Sequence, residues 1–248
     1  MSKRDDIANK YSISGKIIHI YNILFWGLTL QIVIGSYFEL IDSPIYISLQ
    51  IGISIILISI KIIDNNFFWF DAESSRRKST IKDGFNLNIQ QEETVDYYNN
   101  SIKPSIYRYG INIFESNYFS YRIARYMLFN ASIKLILSII LLVLLSRYVL
   151  DNNFYLLIIQ TIVSISYIED GINLYFYYSK LKDLYNQAYN YFITEKGTEK
   201  YLSWIHWYSV EYESIKSYYK IRLCSKIFNK RNPELSNEWN QILSNLKV

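Results

Sequence analysis

The chain has 248 residues and a formal net charge of +4, and 50% of its residues are hydrophobic. It contains 25 Tyr but only 8 Gly and 3 Pro, which favours long helices and argues against a loop-rich or all-β fold. Its single cysteine excludes an intrachain disulfide, and no zinc, haem or iron–sulfur spacing is present, so we expect neither a metal nor a cofactor.

The apolar residues fall into four stretches that are each long enough to cross a membrane: Ile17–Phe38, Ile45–Ile63, Phe129–Val149 and Phe154–Tyr178. A helix needs about 20 apolar residues to cross the hydrocarbon core of a bilayer. The first three stretches lack the polar face that a soluble core helix would show. The first is also too long for a signal peptide, and no small-residue cleavage site follows it. The sequence therefore predicts an all-α membrane protein built from two transmembrane hairpins.

The basic residues predict the orientation of the hairpins. They concentrate in an N-terminal segment (1–16), a central arm (64–128) and a C-terminal arm (179–248), whereas the short turns of hairpins 17–63 and 129–178 contain no lysine. The positive-inside rule then places both termini and the central arm in the cytoplasm. Heavy use of Ile, Asn, Lys and Tyr is typical of an AT-rich bacterial genome, so we expect the bacterial inner membrane.

The central arm is predicted to begin as a helix that prolongs the second span over Asn65–Lys82. Gly84 and the polar residues after it predict a break. A turn is expected at Lys103–Pro104. From Ser120 onward, the chain is predicted to run as one helix into the third span.

The C-terminal arm is predicted to be helical. Leu181, Leu184 and Ala188 keep helical spacing, so the fourth span should continue into the cytoplasm. We expect a break at Lys196–Gly197 and a short final helix that has Pro233 in its first turn.

Between those two breaks, large side chains recur at alternating spacings of four and three, as in the a and d positions of heptads. This stripe consists of Tyr201, Ile205, Tyr208, Tyr212, Ile215 and Tyr219. We favour packing of the stripe against a neighbouring arm of the same chain. The alternative is a coiled-coil seam between subunits.

The sequence contains none of the motifs that mark the common enzyme classes. It has no P-loop, no dinucleotide-binding GxGxxG, no nucleophile elbow and no HExxH. We therefore expect that the protein is not an enzyme.

Ionisable residues inside predicted spans are costly, by about 2.5–3.5 kcal/mol on insertion scales, and so should face protein or water. Lys134 lies in the third span, and Glu169 and Asp170 lie at a similar depth in the fourth. One interpretation is an ion pair of Lys134 with Glu169 or Asp170 that fixes the alignment of the two helices of the hairpin. The other is an acidic ring that lines a cation pathway in an oligomer, with Asn173 nearby as a further lining or gate residue.

The central arm combines basic and aromatic side chains. Arginine binds phosphate through a planar fork and aromatic faces stack on bases, so this mixture is typical of a nucleotide or single-stranded nucleic-acid site. The alternative is contact with the anionic inner leaflet. The candidate ligand-binding residues are Arg76, Arg77, Lys78, Lys82, Tyr107, Arg108, Tyr118, Arg122 and Arg125.

Several short motifs occur in the two arms. They are Asp64, Ser75–Arg77, Asp83–Phe85, Tyr97–Asn100, Asn112–Phe119, Met127, Glu211–Tyr212 and Leu235–Trp239. These motifs resemble those of a known bacterial family, the SMODS-associated four-transmembrane class, whose members are pore-forming effectors encoded beside nucleotidyltransferases in anti-phage operons. With the hairpin spacing, the resemblance covers almost the whole chain.

The resemblance implies a membrane effector whose channel is gated by a nucleotide-derived signal from the partner nucleotidyltransferase. In the Hailong-type version, the signal is a DNA oligomer that holds the channel closed until infection removes it. The implied ligand is thus a nucleotide or a single-stranded DNA oligomer. The class has no catalytic residues to carry over to this chain.

The leading hypothesis is a homo-oligomeric ion channel effector that depolarises the inner membrane during phage infection. Four spans are too few to surround a wide pore, so conduction requires several subunits, and we favour a tetramer. The alternative is a non-conducting membrane anchor or scaffold that recruits a cytoplasmic partner through the Tyr-rich C-terminal helix. A small transporter or membrane enzyme ranks third, because it should have its polar site at the membrane midplane.

Overall fold

The computed structural model describes residues 6–38, 43–89, 98, 100–149, 154–194 and 201–246. Most of these residues are helical, and none of them is in a strand. The sequence predicts the turns of the two hairpins at Asp42–Pro44 and Asp151–Asn153. Asp42, Asp151–Asn153 and the predicted break at Lys196–Gly197 lie outside the described residues. The helices are α1 (Asp6–Tyr37), α2 (Pro44–Ile63), a π-helical turn (Asp64–Phe68), α3 (Trp69–Phe85), α4 (Ile106–Val149), α5 (Phe154–Thr194), α6 (Tyr201–Tyr219) and α7 (Ser225–Asn245).

The chain divides into two compact units. Unit 1 comprises Met1–Asn9, Ala72–Asn130 and Asn173–Val248, and unit 2 comprises Lys10–Asp71 and Ala131–Ile172. Each passage of the chain from one unit to the other falls inside a helix, namely α1, α3, α4 or α5. No loop therefore separates the units along the chain at these passages.

The second predicted span continues without interruption through the π-helical turn into α3, so one helix runs from Pro44 to Phe85. This confirms the predicted helical extension over Asn65–Lys82. The helix ends where Asn86 adopts a left-handed backbone conformation, with a φ of 55°. The N–H of Leu87 then donates to the carbonyl oxygen of Lys82 at 3.2 Å, as in a Schellman cap.

That uninterrupted helix is long and apolar enough to cross a membrane, and among the described residues it is the one helix that meets both conditions. Only 11% of its most apolar 18-residue stretch is buried. Within α2, the side chains of Ile45, Ile55 and Ile62 are 74%, 59% and 55% exposed. A soluble core helix would bury these side chains, so their exposure favours membrane association. The other three predicted spans stay predictions.

In unit 2, α1 packs against α2 through a small apolar cluster formed by Tyr21, Phe25, Leu28 and Leu57. Gly35 leaves room for the ring of Tyr46, because a Cβ at that glycine would lie only 2.2 Å from the Tyr46 hydroxyl oxygen. The hydroxyl of Tyr46 donates to the carbonyl oxygen of Gln31 at 2.5 Å. Gly35 of α1 therefore serves helix packing, as small residues do in membrane helices.

Unit 1 has an aromatic core formed by α4, α5, α6 and α7. Trp239 of α7 is fully buried, and its ring centroid lies 5.2 Å from that of Phe114 and 5.6 Å from that of Tyr118. Such ring pairs add about 0.5–1.5 kcal/mol beyond their buried area. The high tyrosine content thus supplies much of this core.

The helix of the central arm begins earlier than predicted, at Ile106 instead of Ser120. Its start follows the local chemistry, because Ser105 caps the first turn by accepting a hydrogen bond from the N–H of Arg108 at 3.1 Å. Pro104 immediately precedes this cap. The Pro–Ser pair was the signal that could have located the start.

The final helix is also longer than predicted, because α7 begins at Ser225 and contains Pro233 in its interior. Proline removes one backbone hydrogen bond from a helix. Packing on both sides holds the helix together nevertheless: Phe228 lies beside Phe119 before the proline, and Leu235 is fully buried after it. The expectation that Pro233 begins the helix was therefore wrong.

Candidate functional site

An ion cluster connects α3 to α6 inside unit 1. Glu73 and Arg76 lie one turn apart on α3, and Glu213 and Lys216 lie one turn apart on α6. Arg76 donates from Nε to Glu73 at 2.9 Å and from Nη2 to the two oxygens of Glu213 at 2.8 and 2.6 Å. Nζ of Lys216 lies 3.0 Å from the other oxygen of Glu73. Two acids and two bases thus balance one another.

The cluster is buried, so each charge in it depends on its neighbours. Glu73, Arg76 and Lys216 are 4%, 7% and 6% exposed. Burial lowers the pKa of Lys216, and the nearby Arg76 charge lowers it further, although Glu73 and Glu213 oppose the shift. Arg76 and Lys216 also lie within 5.6 and 5.8 Å of the centroid of the Tyr212 ring.

Of the remaining basic residues of α3, Arg77 lies at the edge of this cluster. Nη1 of Arg77 is 3.9 Å from Glu213, Lys78 is exposed and Lys82 is partly buried. Because Arg76 is already held by two carboxylates, an anionic ligand that reached this surface would meet Arg77 and Lys78 first.

Arg108, another candidate ligand-binding residue, holds the start of α4 to the end of α3. Its Nη2 donates to Asp83 at 2.7 Å, and its Nη1 donates to the carbonyl oxygen of Ile102 at 3.1 Å. Asn112 donates to the same carboxylate at 2.7 Å and accepts from Asn100 at 2.9 Å. Arg108 therefore stabilises the segment that leads into α4.

Arg122 is paired within the chain as well. It forms a bidentate pair with Glu238 of α7, which also accepts a hydrogen bond from the Tyr118 hydroxyl. Tyr118 is only 1% exposed, so its ring does not present a stacking surface to a ligand. Arg125, one turn after Tyr121, is exposed.

The predicted stripe of α6 faces the interior of unit 1. Ile205, Tyr208 and Tyr212 are at most 1% exposed. Ile205 packs against Gly110 of α4, and the Tyr208 hydroxyl accepts a hydrogen bond from Asn117 at 3.0 Å. In this arrangement the side chains are occupied within the chain and are not available for a seam between subunits.

The ends of the stripe are less buried. Ile215 is 7% exposed, whereas Tyr201 and Tyr219 are partly exposed. Tyr201 stacks on Tyr107, the remaining aromatic candidate, with 5.5 Å between ring centroids. Tyr107 therefore contributes to this packing in the structure.

Asp170, one of the candidate pore residues of unit 2, forms an ion pair that the sequence analysis missed. Nζ of Lys61, near the end of α2, lies 3.1 Å from Asp170 of α5. Glu169 is exposed, and the side chain of Lys134 lies outside the described residues. The sequence predicts that Lys61 and Asp170 both lie near the cytoplasmic ends of their spans, the second and the fourth. That shared predicted depth was the available signal.

Asn173, which belongs to unit 1, is partly buried. The described residues hold no group of three or more His, Cys, Asp or Glu side chains that could bind a metal ion.

No protein-family model, curated protein or solved structure matches this chain.

Proposed function

We propose that this protein is a homo-oligomeric ion channel effector of a bacterial anti-phage defence system. A nucleotide or oligonucleotide made by a partner nucleotidyltransferase gates it, and the open channel depolarises the inner membrane. The observation that carries the proposal is the uninterrupted helix Pro44–Phe85. Its first part exposes apolar side chains, and its last part supplies Glu73 and Arg76 to the ion cluster.

This helix gives a physical route from ligand to membrane. A ligand bound at unit 1 acts on α3, and α3 is continuous with the membrane helix α2. The ligand's phosphates would compete with Glu213 for Arg76 and Arg77, because a guanidinium binds phosphate and carboxylate with the same fork geometry. Release of Glu213 would loosen α6 from α3.

The complete proposal has four spans, with both termini in the cytoplasm. Large apolar side chains on α1 and α4 support it, because Ile23, Leu30, Phe129 and Ile136 are 58%, 60%, 73% and 56% exposed. Contact of this apolar surface with water is unfavourable, whereas contact with lipid is not.

The proposed oligomer is a tetramer in which α2 contributes to the subunit contacts. One face of α2 bears an open apolar groove of about 550 Å³. Gly52 lies in this groove, and a Cβ there would meet nothing within 4 Å. Small residues let membrane helices approach closely, so a helix of a neighbouring subunit fits this face. The groove is lined by Pro44, Ile45, Ser48, Leu49, Gly52, Ile53 and Ile56.

The test is the membrane potential of bacteria that express the chain, read with a potential-sensitive dye. We expect depolarisation that Glu169→Ala/Asp170→Ala alters, because these carboxylates are the proposed lining. The matched control is Asp183→Ala/Glu211→Ala, which removes two exposed acids from unit 1. Purified protein that conducts no ions in liposomes, with or without nucleotide ligands, would refute the channel.

The exposed face of α6 favours a second candidate function, a membrane scaffold. Trp207, Val210 and Tyr218 are 42%, 52% and 79% exposed, which suits a partner surface. A scaffold predicts that Trp207→Ser/Val210→Ser abolishes function while Glu169→Ala/Asp170→Ala leaves it intact. Tyr208 and Tyr212 are unsuitable for this test, because polar substitutions at buried positions would disrupt unit 1.

A further inference from the structure

A strongly basic stretch joins α6 to the first turns of α7. We call residues 220–231 the basic segment. No acidic residue occurs between Glu213 and Glu234. No acidic residue inside the segment therefore offsets its positive charge. Its basic residues are Lys220, Arg222, Lys226, Lys230 and Arg231.

The backbone gives the basic segment a defined shape. Lys220 adopts a left-handed conformation, with a φ of 50°, and its N–H donates to the carbonyl oxygen of Lys216 at 3.1 Å, which ends α6. Helix α7 then begins at Ser225. Lys226 and Lys230 are four residues apart in α7, so both fall on one helix face, and both are exposed.

Three contacts hold the basic segment against α4. The N–H of Cys224 donates to Sδ of Met127 at 3.4 Å. The guanidinium of Arg231 lies 4.4 Å from the centroid of the Tyr126 ring, where a cation is attracted to the aromatic face. Phe228 lies beside Phe119, with 6.0 Å between ring centroids.

These contacts fall where two predicted spans begin and end. The predicted third span begins at Phe129, two residues after Met127, and Phe129 is 73% exposed. At the other end of the basic segment, Tyr219 packs against Tyr177 of the last turn of the predicted fourth span, with 6.3 Å between ring centroids. The basic segment therefore lies at the depth expected for the cytoplasmic membrane interface.

Exposed aromatic side chains occur in the basic segment and in the helices that lead to it and to its contact at Tyr177. Tyr218 is 79% exposed, Tyr175 56% and Phe228 38%. Aromatic rings concentrate at the headgroup level of membranes, and clustered lysines beside a span attract anionic lipids. Exposed lysines act as point charges and suit a diffuse anionic surface, whereas planar, bidentate phosphate binding would require free arginines. Of the two arginines, Arg231 is paired with Glu234 at 2.8 Å.

We propose that the basic segment docks onto the acidic phospholipid headgroups of the cytoplasmic leaflet. The proposal rests on the membrane-spanning part of the proposed function, because the spans bring the segment to the bilayer surface. Docking anchors the end of α6 and the start of α7, and thus the end of the helix that carries Glu213 and Lys216.

The test places a fluorophore in the basic segment and a quencher on the lipid headgroups. The full chain carries Cys224→Ser and Ser225→Cys, and the new thiol at an exposed position is labelled. The chain is reconstituted in phosphatidylcholine vesicles, with or without phosphatidylglycerol, that contain a nitroxide-headgroup lipid. We compare Lys226→Gln/Lys230→Gln with the matched control Lys103→Gln/Lys182→Gln, which removes two exposed lysines elsewhere in unit 1.

We expect quenching to increase with phosphatidylglycerol and to decrease at high salt. A lysine near an anionic surface contributes about 1 kcal/mol, which is about fivefold in the docking equilibrium. The double variant should therefore dock about 30-fold more weakly. The control should behave as the parent chain.

Equal quenching in both lipid compositions, or unchanged quenching in Lys226→Gln/Lys230→Gln, would overturn the proposal. A fluorescence change caused by single-stranded DNA but not by acidic lipid would instead indicate a nucleic-acid surface. Carbonate extraction of cell membranes distinguishes a failure of lipid docking from a failure of the membrane spans in the proposed function. Release of the chain by carbonate would refute the spans, whereas quenching in vesicles reports docking for any bound chain.

Discussion

The two units of this protein place charge and apolar surface in opposite ways. In unit 1 the ion cluster of Glu73, Arg76 and Lys216 is buried. In unit 2 the ion pair of Lys61 with Asp170 is 32% and 51% exposed, while isoleucines such as Ile55 face outward. A mean hydropathy of +0.02 for the whole chain conceals this contrast. Unit 1 is organised as a water-exposed domain is, and unit 2 is organised as expected for lipid.

Unit 1 also differs from unit 2 in how its interior is filled. Tyr208, Tyr212 and Trp239 fill its core, and Asn117 and Ser120 satisfy the two tyrosine hydroxyls. Aromatic rings bury a large area, but each hydroxyl requires a partner. The buried part of unit 1 therefore tolerates few substitutions, and we expect the largest losses of stability in this unit.

The largest effect is expected from the ion cluster of unit 1. Arg76→Met would leave Glu73 and Glu213 without their shared cation, and breaking a buried pair costs about 3–5 kcal/mol. We expect a loss of about 3 kcal/mol in the free energy of unfolding, because the Glu213 side chain is 23% exposed and water can relieve part of the cost. Denaturant unfolding of the full chain in detergent, followed by tryptophan fluorescence, measures it.

The matched control is the adjacent Arg77→Ala. Its guanidinium is 3.9 Å from Glu213 and its side chain is 32% exposed, so we expect a loss below about 1 kcal/mol. Equal losses for the two variants would show that the ion cluster does not hold α6 to α3.

The next effect tests whether the exposed apolar surfaces of the two units face different solvents. Ile55 of α2 and Val210 of α6 are 59% and 52% exposed, so a lysine fits either position in water. We expect Ile55→Lys to cost about 2.5–3.5 kcal/mol in membrane insertion. Val210→Lys should change stability by less than about 0.5 kcal/mol. Carbonate extraction and expression level measure insertion, and an Ile55→Lys chain that inserts as the parent does would contradict a lipid-facing α2.

A smaller effect compares two glycines of the same continuous helix. A Cβ at Gly84, in unit 1, would lie 2.9 Å from the Cα of Tyr109, whereas a Cβ at Gly52, in unit 2, would meet nothing within 4 Å. Backbone cannot move aside cheaply, so we expect Gly84→Ala to destabilise the chain by about 1–3 kcal/mol. Gly52→Ala should leave the stability of the monomer unchanged or raise it by up to about 1 kcal/mol.

Thermal unfolding in detergent measures both glycine variants. Size-exclusion chromatography of Gly52→Ala adds a second readout, because the proposed subunit contact would be altered by a methyl group in the α2 groove. A Gly84→Ala chain as stable as the parent would contradict the close approach of α3 to α4.

Part of this architecture could be predicted because it depends on local patterns. Helical continuity after the second span followed from the scarcity of breakers over Asn65–Lys82. The helical packing stripe of α6 followed from its spacing. The start of α4 was missed because a tyrosine-rich sequence lacks apolar periodicity, although Ser105 supplied a cap. The start of α7 was predicted wrongly because proline favours the first turn of a helix, whereas packing around Leu235 holds Pro233 in the interior of α7.

The charge pairs could not be predicted, because they join residues distant in sequence. Nothing local relates Arg76 to Glu213, and Lys61 and Asp170 share only a predicted depth in the membrane. A run of basic residues looks the same whether it binds a ligand, a lipid or an internal carboxylate. Arg76, Arg108 and Arg122 each turned out to have an internal carboxylate partner. Only the fold distinguishes them from exposed cations such as Lys78.

The smallest expected effect is a change of stability with pH, and it arises at the contact of α7 with α4. Burial would raise the pKa of Glu238, but hydrogen bonds from Tyr118 and Arg122 outweigh it and hold the pKa below its ordinary value of 4.5. The folded chain then binds fewer protons than the unfolded chain between these two values. The contribution to stability is therefore present above pH 4.5 and is lost as the pH falls through the folded pKa. Glu238→Gln should lower the unfolding temperature slightly at neutral pH and should converge with the parent chain in acid, whereas parallel pH profiles would contradict the pairing.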